Sequence, residues 1–109
     1  MAVNHFKNRD EDGMYPSRLT QGDTVLIIEK ENQGTRDMSK LVKGKIVRIL
    51  SKGNRYKNGA KVQIVLSEDD HRFEEMGYAT FIGRVQYIVS KADEEDNPYM
   101  KYANKGFYD

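Results

Sequence analysis

Four short runs rich in β-branched residues, set apart by turn-forming residues, constrain this chain more than any other feature of it. The first is Thr24-Val25-Leu26-Ile27-Ile28, entered from Gln21-Gly22-Asp23 and ended by Asn32-Gln33-Gly34. Its near-continuous apolar character predicts a strand with both faces partly covered. The second runs from Leu41 to Leu50; it alternates at first and then becomes doubly apolar, as expected of a long strand bending around a small barrel, with Gly44 a candidate kink. The third, Ala60 to Leu66, places Val62, Ile64 and Leu66 on one face and Lys61, Gln63 and Val65 on the other. The fourth, Tyr78 to Val89, divides into Ala79, Phe81, Gly83, Val85, Tyr87 and Val89 against Thr80, Ile82, Arg84, Gln86 and Ile88. In a chain of 109 residues this adds up to one mainly β domain, a small barrel.

The segments between the strands fill in the plan. Ser51 to Gly59 predicts a hairpin loop that closes on Asn58-Gly59, the dipeptide that best tolerates the positive φ angles of a tight turn. Ser67 to Gly77 predicts a short helical insertion: Ser67 caps it, Glu68, Asp69 and Asp70 suit the positive end of its dipole, and Gly77 stops it. Phe73 and Met76, three apart, would share its inward face. Residues 1–18 read as a flexible N-terminal segment with an acidic cluster, Asp10-Glu11-Asp12, and a boundary at Tyr15-Pro16. The barrel is expected over 19–90, with its insertion at 67–77. Residues 91–109 form an acidic and aromatic tail, in which Asn97 and Pro98 could start a short C-terminal helix, or which could stay extended.

Composition removes several classes of function. There is no cysteine, so neither a disulfide framework nor a thiolate metal site is available, and a reducing compartment is the natural reading. The first ten residues lack the apolar run of a signal peptide, and no stretch approaches the length needed to cross a bilayer; the expected location is the cytoplasm. No Gly-rich phosphate cradle precedes a helix, and serine, histidine and aspartate occur without a recognisable nucleophile elbow. His71, Glu74 and Glu75 are too few ligands for a tight transition-metal site. An enzyme is not expected, nor is a metal or other cofactor.

Charge points elsewhere. The net charge of +1 conceals ten basic residues against four acidic between Leu19 and Leu66, and five basic against ten acidic from Ser67 onward. Such polarity suits a surface meant for a charged partner; the competing reading is that the acidic part folds back on the basic part. The hairpin loop concentrates the candidates. Lys52, Arg55 and Lys57 could neutralise phosphates while Tyr56 stacks on an unpaired base. Lys43 and Lys45, on one face of the neighbouring strand, could extend the stripe. Arg84 and Gln86 carry side chains able to read base edges or phosphates by two-pronged hydrogen bonds. The plainer reading of the loop is a solvated hairpin tip whose lysines prevent edge-to-edge pairing. Arg84 and Gln86 could equally hold the barrel register. Six of the eleven aromatic residues lie in the end segments: Phe6, Tyr15, Tyr99, Tyr102, Phe107 and Tyr108. Disordered ends are poor in aromatics, so these should bury against the barrel itself or against a protein partner.

Several of these segments together resemble a family. Gly22-Asp23-x-Val25-x-Ile27 with Lys30 and Gln33-Gly34, Lys43-Gly44-x-Ile46-Val47-x-Ile49-Leu50, Gly59-x-Lys61-Val62 and Gly83-Arg84-Val85-Gln86-x-Ile88 are similar to the small bacterial YwbE-like proteins. The opening Gly-Asp-x-Val and the second strand look more distantly like KOW-type SH3-like barrels of ribosomal and transcription proteins. The resemblance spans roughly Gly22 to Val89. Two places depart from it: the connection from Thr35 to Val42 is longer than usual, and Ser67 to Ile82 replaces a tight turn. The resemblance implies a barrel fold and lends support to nucleic-acid binding. The function expected is a non-catalytic accessory module that binds nucleic acid, RNA favoured over DNA. The alternative is a protein-interaction module or small regulator that docks through its acidic insertion and through Tyr99, Tyr102, Phe107 and Tyr108.

Overall fold

The computed structural model describes residues 6–92. The expected tail helix from Pro98 and the aromatic residues Tyr99, Tyr102, Phe107 and Tyr108 lie outside the described residues.

Four antiparallel strands form a closed ring: β1 (Thr24–Ile28), β2 (Val42–Ile49), β3 (Lys61–Leu66) and β4 (Thr80–Ser90), with β4 returning to pair with β1. Each predicted run therefore becomes a strand. Inward-facing side chains fill the ring: Val25, Ile27, Val42, Ile46, Val62, Ile64, Leu66 and Val85 are all essentially inaccessible to solvent. Burying each such side chain contributes about 1.5–3 kcal/mol, which gives this small core most of its drive. Gly44 marks a close approach of strands. A Cβ there would stand 2.3 Å from the carbonyl oxygen of Val65, so no larger residue fits where β2 crosses β3.

Three register shifts break the expected alternation, one of them at the end of β4, where Ile88 faces Val25 and Ser90 faces Thr24 so that Val89 is extra. In β2, Ile46 pairs with Ile64 and Arg48 with Gln63, which leaves Val47 as the extra residue and turns it outward. In β4, Leu26 faces Tyr87 and Ile27 faces Val85, so Gln86 is extra. The side chains of Val85 and Gln86 consequently both turn inward. Beyond that point the faces exchange: Ile88 packs against the core and Val89 is exposed, the reverse of strict alternation. Bulges of this kind bend a strand and increase its twist, which a ring of four strands requires.

Residues 6–18 are not a loose lead-in. Phe6 and Met14 are each only 6% exposed, and Phe6 joins Ile28 and Leu41 in a second apolar cluster with Leu26 and Tyr87. This explains the continuous apolar run of β1, whose outer side chains are covered by the N-terminal segment and by Leu41. Asp10 pins the segment to the β4 bulge: its amide donates to the Gln86 carbonyl (3.0 Å) and its carboxylate accepts from the Ile88 amide (2.7 Å). The bulge frees those two backbone groups from the ladder, and Asp10 satisfies them.

The insertion is mostly turns. Only Phe73–Met76 is helical (α1), and Gly77 ends it as expected. Arg72, not Ser67, occupies the cap position, and the Ser67 hydroxyl donates to Asp69 instead. Asp70 organises the turn, its carboxylate accepting from the amides of Lys43 (3.0 Å) and Arg72 (2.9 Å). Phe73 packs on the core edge and against Tyr78, ring centroids 4.9 Å apart. Met76 is 49% exposed; a single helical turn is too short to bring both apolar residues inward. Among the described residues, no helix is long and apolar enough to cross a membrane.

Candidate functional site

The basic loop between β2 and β3 is held by backbone on both sides. The Tyr56 amide donates to the Met14 carbonyl (2.8 Å) and the Ala60 amide to the Gly13 carbonyl (2.9 Å), so the N-terminal segment runs alongside the loop. The Gly59 amide closes a turn onto the Tyr56 carbonyl (2.8 Å). Gly59 has φ +99°, and a Cβ there would lie 2.2 Å from the Val85 carbonyl oxygen; only glycine meets both demands. The Tyr56 hydroxyl donates to the Lys52 carbonyl and fixes the ring within the loop.

Arg84, from β4, completes the site. Its guanidinium lies 5.7 Å from the centroid of the Tyr56 ring and donates to the Gly59 carbonyl (3.3 Å). Arg55, Tyr56, Lys57, Asn58, Gly59 and Arg84 together line an open cleft of about 580 Å³. The structure therefore brings Arg55, Tyr56 and Lys57 of the loop together with Arg84 of β4 around one cleft.

The carboxylates are distributed unevenly around it. Arg55 pairs with Glu11 at 2.8 Å, both groups about half exposed; the guanidinium hydrogen bond holds the Glu11 carboxyl below its ordinary range and raises Arg55 in turn. An exposed pair of this kind contributes little to stability and is easily exchanged for another anion. Lys52, Lys57 and Arg84 form no ion pair with any described residue, and Lys52 and Lys57 are exposed. Among the described residues, then, no carboxylate of the acidic half is paired with the loop, and the one carboxylate that is paired there comes from the N-terminal segment.

Three expected contributors stand elsewhere. Gln86 is fully buried, because the bulge turns it inward; its Nε2 donates to the carbonyl of Asn58 (2.9 Å) and to those of Arg84 and Val85. It supports the loop from beneath and is not on the surface. Lys43 sits near the start of β2, about 20 Å of strand away from the loop. Its ammonium contacts Asp69 at 2.6 Å, and with the Ser67 hydroxyl it holds that carboxyl below its ordinary range. Lys45 lines a separate groove of about 360 Å³ with Val65, Leu66, Ser67, Glu68, Asp69 and Tyr78. There the acidic insertion does fold back on basic residues.

Two basic residues outside the expected set join the site's side of the ring. Lys61 pairs directly with Arg84 across β3 and β4, and Arg48 stands opposite Gln63. The alternation of β3 placed Lys61 outward in the sequence, but its neighbour on β4 depends on register. His71 lies 3.9 Å from Asp70, and among the described residues no group of three or more histidine, cysteine or acidic side chains is placed to hold a metal ion. Comparison of the chain with protein-family models, with curated proteins and with solved structures found no match.

Proposed function

We propose that this chain is a non-catalytic nucleic-acid-binding module on a small SH3-like barrel, with the 51–59 loop and Arg84 as its contact surface. The observation that carries the reading is the cleft itself: Lys57 and Arg84 flank a fixed tyrosine ring, Lys52 stands on the same loop, and none of the three has a carboxylate partner among the described residues. Cations in that state attract phosphates by releasing counterions, and a held aromatic ring offers a face for a base. The loop is ordered in advance by the Gly13–Met14 backbone and by Gln86, so little conformational freedom is lost on binding. The closed ring of short strands and the likeness to YwbE-like and KOW-type sequences support the SH3-like assignment, and the latter favours RNA over DNA.

The test is fluorescence anisotropy with a mixed-sequence RNA. Affinity should fall steeply with salt, with a log–log slope of about 3–5 in magnitude if four to six phosphates are engaged. The double variant Lys52→Glu/Lys57→Glu leaves the Arg55–Glu11 pair untouched and should abolish binding with an unchanged circular dichroism spectrum. Full affinity in that variant would exclude the loop.

A further inference from the structure

The basic residues beyond the loop are arranged, not scattered. Lys61 opens β3 directly opposite Arg84. Two residues along the strand, Gln63 stands between Arg48 of β2 and Ile82 of β4. Lys61 and Arg48 are exposed, and Ile82 is an exposed apolar side chain at 46%. Like charges directly opposite one another on neighbouring strands destabilise a sheet. Neither member of the Lys61–Arg84 pair has an ion-pair partner among the described residues. An anion seated between the two would relieve that repulsion.

We propose, resting on the nucleic-acid reading above, that the outer face of β2, β3 and β4 continues the loop cleft as a track for single-stranded nucleic acid. One phosphate sits between Lys61 and Arg84, and another lies beside Arg48. From strand spacing and rise the two positions are roughly 7–10 Å apart. Ile82 lies beneath a base on this path, and Tyr56 stacks on another at the loop end. The face suits a single strand and not a duplex for two reasons. Its apolar and aromatic groups meet base faces, which only unpaired bases expose. Among the described residues it also presents no protruding element to enter a groove, since α1 is four residues long and carries Glu74 and Glu75 and the other helical turns are of three or four residues.

The probes are a labelled oligouridylate of about 12 nucleotides and an RNA duplex of equal length, titrated by anisotropy against the full chain over a range of salt. The single strand should bind at least about tenfold more tightly than the duplex. Lys61→Gln and Arg48→Gln should each weaken oligouridylate binding severalfold and make the salt slope shallower by about 0.7 per lost phosphate contact. Lys61→Gln should do so without lowering the melting temperature, because it removes a like-charge pair. Arg48→Gln, whose cross-strand neighbour is neutral, serves if Lys61→Gln does not fold. Wild-type affinity and slope in both variants, with the Lys52→Glu/Lys57→Glu loop variant impaired, would overturn the track and leave the loop reading standing. Duplex binding as tight as single-strand binding would overturn the choice of ligand. A chain that binds neither probe at low salt would take down both proposals.

Discussion

Gln86 and Asp70 show how single polar side chains set this architecture from inside. Gln86 is fully buried, yet it carries no charge and contacts no solvent; its amide hydrogens tie the Asn58 carbonyl to β4. Replacing it with leucine keeps the bulk and removes the donors. We expect Gln86→Leu to cost about 1–3 kcal/mol in urea unfolding and, on the proposed function, to weaken RNA binding from beneath the loop. Unaltered affinity in a destabilised Gln86→Leu protein would mean that the loop keeps its shape without this tether. Asp70 is 4% exposed at its side chain. Burial pushes its carboxyl up, but the amides of Lys43 and Arg72 and the Arg72 guanidinium outweigh burial, so the net shift is downward. A carboxyl lowered in the folded state stabilises the fold above its unfolded value of about 4, and that contribution is lost as pH falls through the lowered value. The urea midpoint of the wild type should therefore drop on acidification below about pH 4. Asp70→Asn should be weaker at neutral pH and show a flatter acid limb; an identical limb would assign the acid sensitivity to other carboxyls.

At the scale of elements, the strands were legible because each one satisfies a local rule. Four β-branched runs bounded by turn residues fell within about two residues of the strands that form. The helix was not legible in the same way, since Ser67–Gly77 has the composition of a capped helix but spends its first residues on turns bonded to Asp69 and Asp70. The polar composition of the N-terminal segment suggests a loose end for a related reason, while its apolar residues, Phe6 and Met14 among them, carry its attachment to the barrel. Phe6→Ala should therefore cost about 3 kcal/mol, as for a core phenylalanine, and the loss should appear as a lower urea midpoint. A change within about 0.5 kcal/mol would show that this segment contributes nothing to the fold. The bulges left no mark in the sequence, because an extra residue is defined by its partner strand and not by its neighbours in the chain.

For the whole molecule, the division between a basic and an acidic half is real in sequence and only partly real in space. Asp69 takes up Lys43, and Asp70 takes up Arg72, so the insertion neutralises its own end of the ring. At the other end the loop cations and Arg84 have no such cover among the described residues, and Glu11 from the N-terminal segment is the only carboxylate paired there. A second tie closes the ring where β4 ends. The buried Asp23 carboxylate accepts from the amides of Thr20 and Ala92 and from the Lys91 ammonium, which fixes where the chain leaves the barrel.

Local chemistry in the sequence determined which segments are strands, where the chain turns, and that a cluster of cations surrounds Tyr56. Those properties depend on residues adjacent in the chain, so periodicity and turn chemistry report them directly. Tertiary structure alone decided that Gln86 points inward, that Lys61 faces Arg84, and that Lys43 and Lys45 belong to the acidic end. Each of these follows from the register between strands, and a single bulged residue is enough to exchange the inner and outer faces.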